Sequence, residues 1–325
     1  MIVLTGGAGF IGSCALRQLN DMGYEKILVV DNLGKSQKWK NLVGKNFIDY
    51  IHKEDFLKTI CQDKNHFGKI DAVIHFGACS STLCTDLEYL KKNNYNYSIK
   101  ICKWALGRKA RFIYASSAAT YGDGKQGFED REDELEKLKP INSYGYSKHL
   151  FDLWLLNKKL FSKVVGLKFF NVFGPNEYHK GEMRSLVHKA FYQVGKTQKI
   201  RLFKSHRQEY PDGEQKRDFV YVKDCTKIVL YLMTNPQVCG LFNLGSGKAN
   251  SWNALARAIF VAMGKKEVIE YFDMPQKLVK SYQYFTQAPM KKLSLTPIKL
   301  EFTPLVEAID DYIKSYLSQP KVGYL

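Results

Sequence analysis

The side chains of this sequence best suited to chemistry lie in Tyr144-Gly145-Tyr146-Ser147-Lys148. Asn142 and Ser143 are capping residue types, and Leu150, Phe151, Leu153 and Trp154 supply an apolar face, so the stretch predicts the start of a helix. Positions i and i+4 share a helix face, which points the Tyr144 phenol and the Lys148 ammonium into one pocket. A neighbouring ammonium favours phenolate and makes a tyrosine usable as a proton acceptor near neutral pH. Tyr and Lys also meet at this spacing by chance. The reading therefore depends on what the remaining elements place beside them.

A binding site for a dinucleotide is the first such element. Met1 to Thr5 reads as a buried strand and Ser13 to Met22 as a helix, with Gly6, Gly9 and Gly12 between them and Phe10 and Ile11 inside the turn. Glycines at that junction let the backbone approach a pyrophosphate, and the helix N-terminus offers free N–H groups. Ile27-Leu28-Val29-Val30 is a second apolar strand, and Asp31 ends it at the spacing where a carboxylate meets the adenine ribose. Asp31 alone favours NAD, since a carboxylate repels a 2′-phosphate. Asn32, Lys35, Lys38 and Lys53 offer partners for that phosphate, so the expected cofactor is NADP, with NAD the alternative.

Phe56 to Cys61 predicts a short helix and Ala72-Val73-Ile74-His75 a strand, running into Phe76, Gly77, Ala78, Cys79, Ser80 and Ser81. Asp86 to Leu106 predicts a long helix and Arg111 to Ala115 the next strand. This alternation implies a Rossmann-type, doubly wound parallel α/β sheet. Cofactors bind beyond the carboxyl ends of such strands, so residues 76–80 are expected to line the cofactor and Ser116-Ser117 the reacting centre. The Ser117 hydroxyl there can bond a substrate oxygen as its charge changes, or merely satisfy backbone groups at the strand end. Asp123 to Lys139 is charged and poorly periodic and reads as a surface loop.

Val164 to Phe170 is one more strand, and the pattern then loosens. A helix is expected over Ser185 to Val194, strands over Ile200 to Phe203 and Phe219 to Val222, and a polar loop over Ser205 to Gln215. Further on come Leu241 to Gly247, helices near Ala254 to Met263 and Pro304 to Leu317, and a strand over Val268 to Tyr271. The expected organisation is residues 1–170 for the cofactor and residues 171–325 as a smaller substrate-binding α/β lobe whose segments rejoin the sheet. Composition fits a globular protein: 325 residues, 45% hydrophobic, with no run long enough to span a membrane. The N-terminus carries no signal-peptide pattern, and the seven cysteines form no C-x-x-C pair. Both point to a cytoplasmic protein without a metal site. The net charge of +17 is spread over the whole length. That suits a lysine-rich surface and an anionic substrate better than nucleic acid.

Four stretches together resemble the extended short-chain dehydrogenase/reductase family that acts on nucleotide sugars: Thr5 to Gly12, Ser116 to Gly122, Tyr144 to Lys148 and Arg217 to Val222. Leu28 to Leu33, Gly77 to Thr82, Asn93-Asn94-Tyr95, Asn171 to Pro175 with His179-Lys180-Gly181, and Tyr282 to Ala288 resemble its branch that inverts C6 of an ADP-linked heptose. The resemblance implies a transient 6-keto sugar, Tyr144 and Lys180 as paired acid/bases, Lys148 and Ser117 as their supports, and supply of heptose for lipopolysaccharide. It adds Phe76, Asn93 and Val172 to the cofactor contacts. On the substrate it places Ser117, Asn171, Lys180, Glu182, Lys189, Phe203, Lys204, Ser205, Arg217 and Tyr282. It also implies a homo-oligomer, in this family a homopentamer. Phe76, Glu182, Arg184 and the long 205–215 loop depart from the family pattern. Another nucleotide-sugar epimerase, a 4,6-dehydratase and a cofactor-sensing binding protein are the alternatives. A dehydratase wants an acid beside Ser117, where Ala118-Ala119 stand.

Overall fold

In the computed structural model, which describes residues 1–279, 282–320 and 323–325, seven parallel strands form one sheet. They are β1 (Ile2–Thr5), β2 (Ile27–Asp31), β3 (Asp49–His52), β4 (Ala72–His75), β5 (Arg111–Ser117), β6 (Val164–Phe169) and β10 (Gly240–Leu244), in the order β10-β6-β5-β4-β1-β2-β3. The chain winds outward from β1 in both directions, so the strand order reverses between β1 and β4. Ligands bind at such a switch point, beyond the strand ends. Central strands such as β1, β4 and β6 are buried along their whole length, as two-sided coverage requires.

One face carries α2 (Lys53–Gln62), α4 (Tyr97–Gly107) and α5 (Ser143–Asn157), whose apolar residues join one core with Phe56, Ile101, Phe112 and Phe151, and the short α3 (Leu87–Leu90) packs on α5. The expected single helix over 86–106 is thus α3 and α4, joined by a π-helical turn at Lys91–Asn96. The other face carries α1 (Phe10–Asp21), which starts three residues earlier than its sequence suggests, and α7 (Val222–Thr234). The loop expected over 123–139 holds a 3-10 turn at Glu132–Lys137 and buries Asp130 and Leu135. Asp130 accepts from Asn243 N at 2.7 Å, and Glu132 from Leu241 N at 2.8 Å, so the loop fastens β10 to the sheet edge.

Beyond β6 the chain builds a second layer. β7 (Asn171–Phe173), β9 (Lys216–Tyr221) and β11 (Ala249–Ser251) form a three-stranded sheet, and β8 (Ile200–Phe203) pairs in parallel with β12 (Ile269–Phe272). α6 (Leu186–Thr197), α8 (Trp252–Ala262) and α11 (Leu305–Tyr312) close a third core around Phe173, Phe219 and Tyr312. The short helices α9 (Gln276–Val279) and α10 (Lys291–Ser294) complete the set. β10 and α7 come from this later part of the chain yet pack on the first sheet, where β10 pairs with β6 and α7 lies against α1.

Candidate active site

The glycine turn is built for close approach. Gly6 has φ +70°, and a side chain on it would meet the Gly77 backbone at 2.7 Å, while one on Gly12 would strike Gly6 O at 2.1 Å. The turn therefore lies flat against residues 76–77 and delivers the first-turn N–H groups of α1 to the cavity beyond. That cavity, about 500 Å³, is lined by Gly6, Gly9, Phe10, Ile11 and Gly12, by Asp31, Asn32 and Lys38, and by Phe76 to Ser81. Ala115, Ser116, Tyr144, Lys148, His179 and Lys180 close its far end.

A smaller pocket of about 160 Å³ continues from Asp31 and Lys38 to Lys53, Tyr89, Asn93 and Tyr97. Asp31 accepts from Ala8 N and, at 2.6 Å, from Lys38 Nζ. The lysine expected to face a phosphate thus neutralises the carboxylate that would repel one. Lys53 donates to the Asn93 side chain, and partial burial lowers its ammonium pKa. The Tyr97 hydroxyl is buried in this pocket without a hydrogen-bond partner among the described residues. A flat glycine cradle, exposed helix N–H groups and an orphaned phenol at the adenosine end together fit a dinucleotide. Tyr97 had no signal in the sequence, because its apolar ring reads as one more core position of α4.

The helix that carries the tyrosine is set by its first turn. Asn142 Oδ1 accepts from Gly145 N at 2.7 Å, as the capping pattern predicts. A Cβ on Gly145 would lie 2.5 Å from Ala119 O, so the helix can seat itself against the turn after Ser117 only with glycine there. Lys148 donates to Ala115 O at 2.8 Å, and burial holds its ammonium at about 8. The Tyr144 phenol is pushed up by burial, with a hydrogen bond to Ser117 offsetting part of the rise. The depression expected from Lys148 is not found: Ser117 is the group that lowers the phenol, and burial outweighs it. Ser117 Oγ also accepts from Ala119 N at 3.1 Å, so it performs its backbone task while meeting Tyr144.

A second cavity, about 550 Å³, opens from the first and shares Phe10, Ile11, Ser80, Tyr144, Phe169, Lys180 and Met183 with it. Ser117, Asn171, Val172, Arg217 and Tyr282 line it, with Gln283 and Thr286 from the Tyr282 to Ala288 stretch and with Trp252, which the sequence did not single out. Arg217 is buried between the rings of Tyr282 and Trp252, 5.2 and 5.8 Å from their centres. Lys180 stands 5.1 Å over the Phe10 ring, and its burial lowers the ammonium pKa, against the pull of Glu177. Five expected substrate contacts lie outside both linings. Glu182 pairs with Lys189 at 3.2 Å and Lys204 with Asp273 at 3.3 Å. Ser205 N donates to Asp212, and Phe203 packs on Phe272. Val172 lines the second cavity rather than the first.

A dinucleotide-binding sheet whose cavity meets a second one across a tyrosine and a lysine is the arrangement of a nicotinamide-dependent enzyme acting on a bound substrate. The chain belongs to the NAD dependent epimerase/dehydratase family, whose model matches residues 2–245. It is 49% identical over 318 residues to an ADP-L-glycero-D-manno-heptose-6-epimerase of Nitratidesulfovibrio vulgaris, covering 98% of each chain. The enzyme of that name from Fusobacterium nucleatum is 43% identical over 328 residues, again with 98% of each covered. The crystal structure of the Helicobacter pylori ADP-L-glycero-D-manno-heptose-6-epimerase superposes with a TM-score of 0.78 at 30% identity, covering 97% of this chain and 95% of that one.

Proposed function

We propose that this protein inverts C6 of an ADP-linked heptose, converting ADP-D-glycero-D-manno-heptose to its L-glycero epimer through a 6-keto intermediate. The observation that carries the reading is the lining of the second cavity. Among its described residues none is acidic, whereas Lys180, Arg184 and Arg217 bring three cations to it. Such a cavity suits a diphosphate-linked sugar. It also lacks the acid beside Ser117 that a dehydratase wants.

Gly6 to Gly12, Asp31, Asn32, Lys38, Lys53, Asn93 and Lys148 are the residues to hold a dinucleotide, which supplies the hydride acceptor and donor. NADP is the preferred form, since Lys38 and Lys53 can neutralise its extra phosphate. Tyr144 accepts the C6 hydroxyl proton of one epimer, and Lys148 and Ser117 steady the phenolate. Because C6 is exocyclic, rotation about the C5–C6 bond presents the other carbonyl face and carries the oxygen away from Tyr144. A second group must then exchange the proton, and Lys180 fills that role. Residues 1–170 serve mainly the cofactor and 171–325 the sugar. A cytoplasmic homo-oligomer is part of the same reading, and sedimentation velocity tests the assembly.

The decisive test is incubation of the purified protein with ADP-heptose of one C6 configuration, followed by NMR. Both epimers are expected to accumulate without net reduction of added NADP. An unchanged C6 centre would refute the reading. Tyr144→Phe and Lys180→Met are each expected to lower epimerisation by at least about 10²-fold, the scale of a positioned acid/base. Turnover near the parent rate in Lys180→Met would assign both faces to Tyr144.

A further inference from the structure

We infer that Asn41 and Asn176 are positioning residues for the Lys180 base, tying its segment to the glycine turn on one side and to residues 323–325 on the other. The inference rests on the reading of Lys180 as a second base. Four residues lead into that lysine, and each is anchored by its side chain. Asn176 is fully buried with φ +74°. Its amide nitrogen donates to Ser13 Oγ of α1 at 3.0 Å and to Leu325 O at 3.3 Å, and its Oδ1 accepts from Leu325 N at 3.0 Å. Glu177, also fully buried, accepts from Ser185 Oγ at 2.6 Å and from the Tyr312 hydroxyl at 3.1 Å. Tyr178 donates to Gly323 O at 2.7 Å.

Asn41 joins this segment to the cofactor side. It is 1% exposed, and its amide nitrogen lies 3.0 Å from Ala8 O in the glycine turn, 3.1 Å from Asn176 O and 3.3 Å from His179 Nδ1. One side chain thus bridges the turn that would carry the pyrophosphate and the two residues, Asn176 and His179, that bracket Glu177-Tyr178 ahead of Lys180. Past Lys180 the contacts move from the interior to the surface: Gly181 takes φ +55° and its carbonyl accepts from Arg184 Nε at 2.7 Å, and exposed Glu182 pairs with Lys189. A lysine has a long flexible stem, so its ammonium is reproducibly placed only when the backbone beneath it is fixed. Misplacement by about 1 Å is enough to cost about 10²-fold in rate.

A double-mutant cycle separates action through Lys180 from a general structural role. Asn41→Ala is made in the parent chain and in Lys180→Met, and epimerisation of ADP-heptose is followed by NMR in the protein as purified. In the parent background kcat is expected to fall about tenfold or more, with KM and bound cofactor kept within about twofold. In the Lys180→Met background no further loss is expected. An equal fold-loss in both backgrounds overturns the inference and leaves the two-base reading standing. A Lys180→Met chain as fast as the parent overturns that reading, and the inference with it. If Asn41→Ala does not fold, Asn176→Gly keeps the positive φ while removing the amide, and the same cycle applies with the same expectations.

Discussion

Arg217 presents a guanidinium in the second cavity while two of its donors are already committed to the Lys216 and Gln283 carbonyls. Its plane is held between Tyr282 and Trp252, whose indole N–H donates to the Tyr282 hydroxyl at 3.0 Å. An ammonium cannot reproduce the planar fork or the stacking. Arg217→Lys is therefore expected to weaken substrate affinity by about tenfold or more, on the scale of a lost charge-assisted hydrogen bond, with bound cofactor unchanged. Unaltered affinity in a titration calorimeter would remove Arg217 from the diphosphate site. At the adenosine end, Lys38 is paired with Asp31, whereas Lys53 donates to the neutral Asn93 amide. Lys53→Ala is expected to weaken NADP more than NAD. Lys38→Ala has two effects on NADP that act in the same direction, losing a cation and freeing a carboxylate to repel. Its selectivity loss is expected to be the larger of the two, and equal losses of NAD and NADP affinity in both variants would show that neither lysine reads the phosphate.

At the scale of elements, capping chemistry and apolar runs were legible. The Asn142 cap, the Ser185 cap of α6 and the buried strands β1, β2, β4, β5 and β6 all stand where their residues indicate. β3 was not, because Asp49-Tyr50-Ile51-His52 is an edge strand, half exposed and without an apolar run. The 123–139 loop misleads for a related reason. Its charges look solvated, yet Asp130 and Glu132 are spent on the β10 backbone, a partner 110 residues away that local pattern does not reveal. The same limit hid Trp252 and Tyr97 from the site, since each is brought there by packing between elements. Among the legible features the Asn142 cap is the most directly testable. Asn142→Ala removes the acceptor for Gly145 N and is expected to cost about 1 kcal/mol in urea unfolding. It should also lower kcat, because the freed turn carries Tyr144. A variant that loses stability with kcat intact would separate the cap from the catalytic geometry.

Across the whole molecule, burial of imidazoles makes stability depend on acid. His75 is held at about 3, chiefly by burial, between Thr5 Oγ1 at 2.6 Å and Ser98 Oγ at 2.9 Å. His179 and His188 are each held at about 4, again by burial first and by nearby cations second. An unfolded imidazole takes its proton near 6.5. Between those values the unfolded state binds more protons than the native one, so stability is fully present above pH 6.5 and is lost as pH falls toward 4. Buried carboxyls work in the opposite direction. Asp130, Glu177 and Asp218 are pushed up by burial, so the native state takes their protons first as pH falls. A bulk acid titration mixes both signs, and one histidine has to be isolated. His188 is the suitable choice, being 3% exposed, packed against Tyr178 and Tyr192, and absent from the linings of both catalytic cavities. His188→Phe keeps an aromatic ring there and removes the proton site. Between pH 7 and pH 5 the parent is expected to lose about 2 kcal/mol more unfolding free energy than the variant, which is 1.5 pH units below the free imidazole value at about 1.4 kcal/mol each. Parallel losses in urea titrations at the two pH values would show that His188 takes its proton as readily in the native state as in the unfolded one.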